Sequence, residues 1–165
     1  MGGSSSALRE ELARPLLAAY AAAPGVEAVA LSGSTARGTA DRWSDVEVMA
    51  FWSHPPSDEE RADAAAAGSA TPRRFFAYDS DEQVWCDDLS LGPHDILIEV
   101  THLLVATAEE QLGRLLDRLD PNPLLLNVAQ GLVDAVPTTG SALIDTWKSR
   151  IARPSSRSSS RRRTT

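Results

Sequence analysis

Leu31-Ser32-Gly33-Ser34-Thr35-Ala36-Arg37-Gly38-Thr39-Ala40-Asp41-Arg42-Trp43-Ser44-Asp45-Val46-Glu47-Val48 is the stretch on which the reading of this chain turns. It joins a short apolar run over 26–31, suited to a buried strand, to a tight turn of small residues. After Gly33-Ser34 and ten intervening residues comes Asp45-Val46-Glu47-Val48, an acid-apolar alternation that opens a second strand over 45–52. Side chains two apart on a strand share a face, so Asp45, Glu47 and Met49 point one way while Val46, Val48 and Ala50 point the other. Two carboxylates roughly 6.5 Å apart along a strand can share a pair of divalent cations about 3.5–4 Å apart. Magnesium takes such oxygen ligands and keeps the rest of its shell for water and phosphate. A glycine, a small residue, a fixed interval and acid-apolar-acid-apolar together arise by chance in on the order of one percent of chains this long. Alone, Asp45 and Glu47 fit a solvated strand face equally well; the preceding turn is what makes them candidate ligands.

Outward from that stretch, Leu8, Leu12, Leu16 and Tyr20 recur every four residues and predict a helix over 7–23, with a kink or fresh start at Pro15 and an end at Pro24-Gly25. Ser57-Asp58-Glu59-Glu60 is a capping box that opens a helix through Ala67. Strands are expected over 73–78, 84–91 and 95–102, the last two joined as a hairpin through Leu91-Gly92-Pro93. Thr107-Ala108-Glu109-Glu110 is a second capping box, followed by a leucine stripe at Leu112, Leu115, Leu116 and Leu119, and two further helical stretches cover 124–135 and 141–151. The expected class is α/β (α+β): a small mixed β-sheet flanked by helices.

At 165 residues the chain is long enough for one ordinary core. Its single cysteine, Cys86, has no partner within the chain and suits a reducing, cytoplasmic compartment. No run approaches the roughly 18 apolar residues of a membrane span. The net charge of −7 is uneven: five of the 16 basic residues lie in the last 13 positions, so the first 152 carry −12. A body that acidic repels phosphate backbones and makes a nucleic-acid partner an unfavoured expectation.

The run from Leu31 to Glu47 resembles the DNA polymerase beta-type nucleotidyltransferases, in particular the small bacterial branch that includes aminoglycoside and lincosamide nucleotidyltransferases. The resemblance implies that fold, and transfer of a nucleoside monophosphate from a magnesium-bound nucleoside triphosphate, ATP first among them, to a hydroxyl of a small-molecule acceptor. It implies that Gly33 and Ser34 hold the triphosphate and that Asp45 and Glu47 ligate two Mg2+ ions. Arg37 is placed to neutralise phosphate charge, or to pair with Asp41 or Asp45 at the surface. A third carboxylate on a neighbouring strand is matched best by Glu99, as metal ligand or general base, with Asp95 on the same face as the alternative. His102 closes that strand on the opposite side, and Trp43 is the tryptophan nearest the motif.

Composition marks a flexible Gly/Ser leader over 1–6 and a disordered Ser/Arg tail over 153–165, and the resemblance implies a catalytic core over 7–105 and a helical segment over 106–152 that starts a truncated helical domain. On that reading the cleft lacks one wall and Leu124, Leu125 and Leu132 lie exposed. Two other functions stay open: a non-catalytic or vestigial nucleotide-binding module, and a transferase acting on a protein partner.

Overall fold

Short apolar runs buried on both faces set the central strands, and glycine or proline punctuates them. The computed structural model describes residues 2–153, with side chains from residue 4 onward. Helix α1 (Gly2–Ala22) leads into β1 (Val26–Ser32), and the short α2 (Gly33–Arg37) follows without a break. Strand β2 (Val46–Trp52) comes next, then α3 (Asp58–Ala67), β3 (Thr71–Phe75), β4 (Trp85–Leu91) and β5 (Ile96–Leu104). Helix α4 (Val105–Leu116), α5 (Leu125–Val133), β6 (Val136–Thr139) and α6 (Ser141–Ala152) complete the described chain. The six strands form one mixed sheet in the order β3-β4-β5-β2-β1-β6. Its β2–β5 pair is parallel and its other pairs are antiparallel. A parallel pair needs a long crossover, and here α3, β3 and β4 intervene between the two strands.

The two faces of the sheet carry separate cores. Val29, Leu31, Val48, Ala50, Ile98 and Val100 face Leu16, Leu17 and Tyr20 of α1 and Ala64 and Ala65 of α3. Ala28, Ala30, Met49, Phe51 and Leu103 face α4, α5 and α6 through Leu112, Val128, Leu132, Ile144 and Trp147. The chain is therefore an α/β molecule with a six-stranded mixed sheet between two helical layers, as its sequence implied. The Ser57 capping box is present in full: the hydroxyl accepts from Glu60 N at 3.1 Å and the Glu60 carboxylate accepts from Ser57 N at 2.8 Å.

Several expectations give way to tertiary contacts. Of the residues read as a flexible leader, 2–6 belong to α1, which begins at Gly2, and Met1 lies outside the described residues. Ser6 is buried and its Oγ accepts from Ala40 N at 3.0 Å, while buried Arg9 donates to the Ser44 carbonyl at 2.8 Å. Both side chains pin the loop that leads to Asp45, which is why a Gly/Ser start orders. The helix passes through Pro15, whose exposed position lets solvent satisfy the carbonyl that proline leaves without a donor. Helix α4 starts at Val105, directly off β5 and without a side-chain cap, so the Thr107 capping box does not form. The segment read as purely helical contains β6, which pairs with β1 at Leu31↔Val136 and ties the C-terminal segment into the sheet. Of the leucines expected to be exposed, Leu125 and Leu132 are buried and Leu124 is half-buried. The expected Ser/Arg tail, apart from Arg153, lies outside the described residues.

Candidate active site

Gly33 starts α2 at φ +65°, in the left-handed region, directly after the extended Ser32. A Cβ there would collide with the Glu47 carboxyl group. Glycine is thus required twice, for backbone conformation and for the approach of an acid. The turn is closed by Gly38, which caps α2 at φ +75°, and by Thr39 N donating to the Ser34 carbonyl at 2.9 Å.

Strand register assembles the acids. Glu47 on β2 lies opposite Glu99 on β5, and Glu99 lies opposite Asp88 on β4. Directly paired residues share a face, and neighbouring strands are about 4.8 Å apart. Three carboxylates therefore form a row across the sheet on the face covered by α4 and α5. Asp45 joins them from the loop end just before β2, through a side-chain hydrogen bond with Glu99.

Crowding leaves an electrostatic mark. The Glu99 carboxyl is pushed up to about 6, first by partial burial, then by the hydrogen bond with Asp45 and by the charges of Asp45, Asp88 and Glu47. Glu47 is also raised, by partial burial and the Asp45 charge, with Arg37 acting in the opposite direction. Both keep contact with solvent at the mouth of a cavity of about 410 Å³.

That cavity collects much of the sequence-derived set. Gly33, Arg37, Glu47 and Glu99 line it, joined by Asp88 and Cys86 of β4. Asp45 touches the group through Glu99, while Ser34 is half-buried in α2 and does not line the cavity. One wall of the cavity is formed by α5, whose Asn127, Val128, Gln130 and Gly131 line it. Arg37 pairs with neither Asp41 nor Asp45: its Nη1 donates to Asp134 Oδ2 at 2.9 Å, at the end of α5.

Two candidates fall away. Asp95 sits at φ +54° in the turn before β5 and pairs with Arg73 on the exposed side. His102 does not line the cavity: it is fully buried on the opposite face, where its Nδ1 accepts from Trp52 Nε1 at 3.1 Å and its Nε2 lies 2.8 Å from Asp87 Oδ2. Because indole only donates, Nδ1 is unprotonated and Nε2–H donates to Asp87. Burial lowers the imidazole pKa and keeps the ring neutral. Asp87 also pairs with buried Arg61 of α3, so the network fastens α3 to the sheet beneath the acidic row. Trp43 is 80% exposed, stacked under Arg42 and away from the cavity.

Sequence reasoning missed Asp88 and the α5 wall. In Trp85-Cys86-Asp87-Asp88-Leu89 two adjacent acids point to opposite faces, and only the β4–β5 register tells which of them joins Glu99.

The donor set suits a hard divalent cation, since Asp45, Glu47 and Glu99 offer carboxylate oxygens on one face, and the Glu47 and Glu99 carboxyls are raised first by partial burial and then by neighbouring acid charge, which a cation relieves. The side chains are not arranged as a closed cage: among the described residues, no group of three or more His, Cys, Asp or Glu side chains stands in a geometry that could hold a metal ion. Asp45 and Glu99 are turned onto each other, so a cation would enter by separating them. No helix among the described residues is long and apolar enough to cross a membrane.

The chain matches no protein-family model, and no curated protein matches its sequence. Among solved structures it is similar to a chain in the structure of the GLD-2/RNP-8 complex, at 12% identity and a TM-score of 0.36. That similarity covers 88% of this chain and 54% of the other, so this chain spans about half the length of the one it matches.

Proposed function

We propose that this chain is a nucleotidyltransferase that moves a nucleoside monophosphate from Mg-NTP, ATP in the first instance, to a hydroxyl of a small-molecule acceptor. The observation that carries the reading is the convergence on one cavity of a left-handed glycine turn with Glu47 and Glu99 in cross-strand register, Asp45 touching Glu99. The sequence resemblance of residues 31–48 supplies the chemistry this arrangement is read as serving.

In the proposed reaction the acceptor hydroxyl oxygen attacks the α-phosphorus. A new O–Pα bond forms as the Pα–O–Pβ bond breaks, the hydroxyl proton leaves, and pyrophosphate departs. Asp45, Glu47 and Glu99 are the residues that would hold Mg2+, which when bound supplies charge neutralisation for the attacking and leaving oxygens. Gly33 lets the backbone approach the triphosphate, with Ser34 beside it in α2. Arg37, lining the same cavity, offsets phosphate charge. Glu99 is read as metal ligand or as the general base that accepts the hydroxyl proton. The cavity, about 410 Å³, falls within the range of small-molecule sites.

The test is transfer of α-labelled nucleotide to acceptor panels, small molecules and proteins separately, with Mg2+. Label on a small molecule, lost in Glu47→Gln, is the expected result. Label on protein alone redirects the acceptor class, and nucleotide binding without transfer to any acceptor would favour a non-catalytic module.

A further inference from the structure

The C-terminal end of α5 is fastened to the glycine turn by more bonds than packing alone requires. Ser32, almost fully buried at the end of β1, donates its Oγ–H to the Gly131 carbonyl at 2.7 Å. Gly131 lies so close to β2 that a Cβ there would sit 2.8 Å from Met49 Sδ. Three residues on, Asp134 receives Arg37 Nη1 at 2.9 Å, and the next carbonyl, Ala135, accepts from Lys148 Nζ at 2.9 Å. The chain then enters β6 and pairs with β1. The backbone on either side of Asp134 is thus tied down at Gly131, Ala135 and β6, while Arg37 stands on a five-residue helix with its side chain half in solvent.

An arginine fork has five N–H donors on three nitrogens. In Arg37 the Asp134 contact occupies Nη1, and Nε and Nη2 make no hydrogen bond among the described residues. Arg37 lines the cavity together with Glu47 and Gly33, and its charge acts on the Glu47 carboxylate. We propose that Asp134 is a positioning residue for the nucleotide: by fixing Nη1 it aims the two free nitrogens of Arg37 at the phosphates held by the Gly33 turn. The inference rests on the nucleotidyltransferase reading above and adds to it a residue from outside the motif. An exposed ion pair contributes little to folding stability. Its value here is the restriction of a long side chain before ligand arrives, a saving worth about a two- to tenfold gain in affinity.

Two physical effects oppose each other at this position, and their signs differ. Asp134→Asn removes a negative charge near an anion site, which by Coulomb attraction alone would tighten phosphate binding. Loss of positioning would weaken it. The experiment measures Mg-ATP binding by calorimetry in the full chain and in Asp134→Asn, Asp134→Glu, Arg37→Ala and Arg37→Ala/Asp134→Asn, with ligand-free melting temperatures alongside. The expected result is an about two- to tenfold weaker binding in Asp134→Asn, recovery in Asp134→Glu, no additional loss when Asp134→Asn is added to Arg37→Ala, and ligand-free melting temperatures close to the parent's. Binding equal to or tighter than the parent's in Asp134→Asn overturns the positioning role and leaves the nucleotide site standing. A further loss in the Arg37→Ala background overturns it too, since the effect would not pass through Arg37. Absence of binding of ATP and of the other NTPs by the folded parent overturns both this inference and the reading it rests on.

Discussion

Replacing Glu99 by glutamine should stabilise the metal-free protein at neutral pH while destroying its response to Mg-NTP. Glu99 has its carboxyl raised to about 6 by partial burial, by the hydrogen bond with Asp45 and by three neighbouring acids. A carboxyl whose folded pKa lies above its unfolded value binds its proton more tightly in the folded state, so stability falls as pH rises from the unfolded pKa through the folded one. The window runs from about 4.5 to about 6. Above it the ionised group carries its full cost. Full conversion of that shift would give roughly 2 kcal/mol, but Glu99 keeps substantial solvent contact, and screening reduces the figure to about 1 kcal/mol or less. Glutamine is neutral, nearly isosteric, and can still donate to Asp45. For a domain of this size, about 1 kcal/mol corresponds to about 2–4 °C. The assay is thermal unfolding in a chelator at pH 7.5 and pH 4.5. Glu99→Gln should melt higher than the parent at pH 7.5 and level with it at pH 4.5. With Mg-NTP the parent should gain stability and the variant should gain much less. A variant that melts at or below the parent at pH 7.5, or a gap that does not shrink at pH 4.5, would refute the claim that Glu99 stands in a crowded acidic cluster.

Gly33→Ala should lose about 1–2 kcal/mol of stability, because alanine is strained at φ +65° and its methyl must displace the Glu47 carboxyl, and Mg-NTP binding should fall with it; both are read by melting with and without ligand. Asp87→Asn should be among the most destabilising single changes, about 3 kcal/mol in urea unfolding, since it leaves buried Arg61 without its buried counter-charge and alters the bond from His102. Ser57→Ala should cost about 1 kcal/mol by loss of the hydroxyl that accepts from Glu60 N, without altering nucleotide binding, and serves as a stability control remote from the cavity.

The contrast between Asp45/Glu47 and Asp88 shows how far residue order reaches. The first pair is legible because its meaning is local: alternation on one strand, next to a turn that only small residues can make. Glu99 was matched through the resemblance, since alternation alone put Asp95 on the same face. Asp88 was not, because Asp87 and Asp88 are indistinguishable until β4 is laid against β5 in a particular register, after which one lies buried with Arg61 and His102 and the other joins the acidic row. Ser6 and Arg9 were unreadable for a related reason. Their partners, Ala40 and Ser44, lie more than thirty positions away, at separations of 34 and 35 residues, and local composition made that end look like a loose leader.

The sequence by itself determined the elements and the candidate chemistry: hydrophobic periods of two and 3.6, the Ser57 cap, the glycine turn and the alternating acids are short-range signals, written within a few residues of where they act. The tertiary structure alone decided the sheet order, the return of β6 to pair with β1, the buried Asp87 network, and the placing of α5 against the turn with Asp134 on Arg37. Those features depend on which surfaces meet when two cores close on opposite faces of one sheet. That outcome is set by the summed burial of many distant side chains and not by any one stretch of the chain.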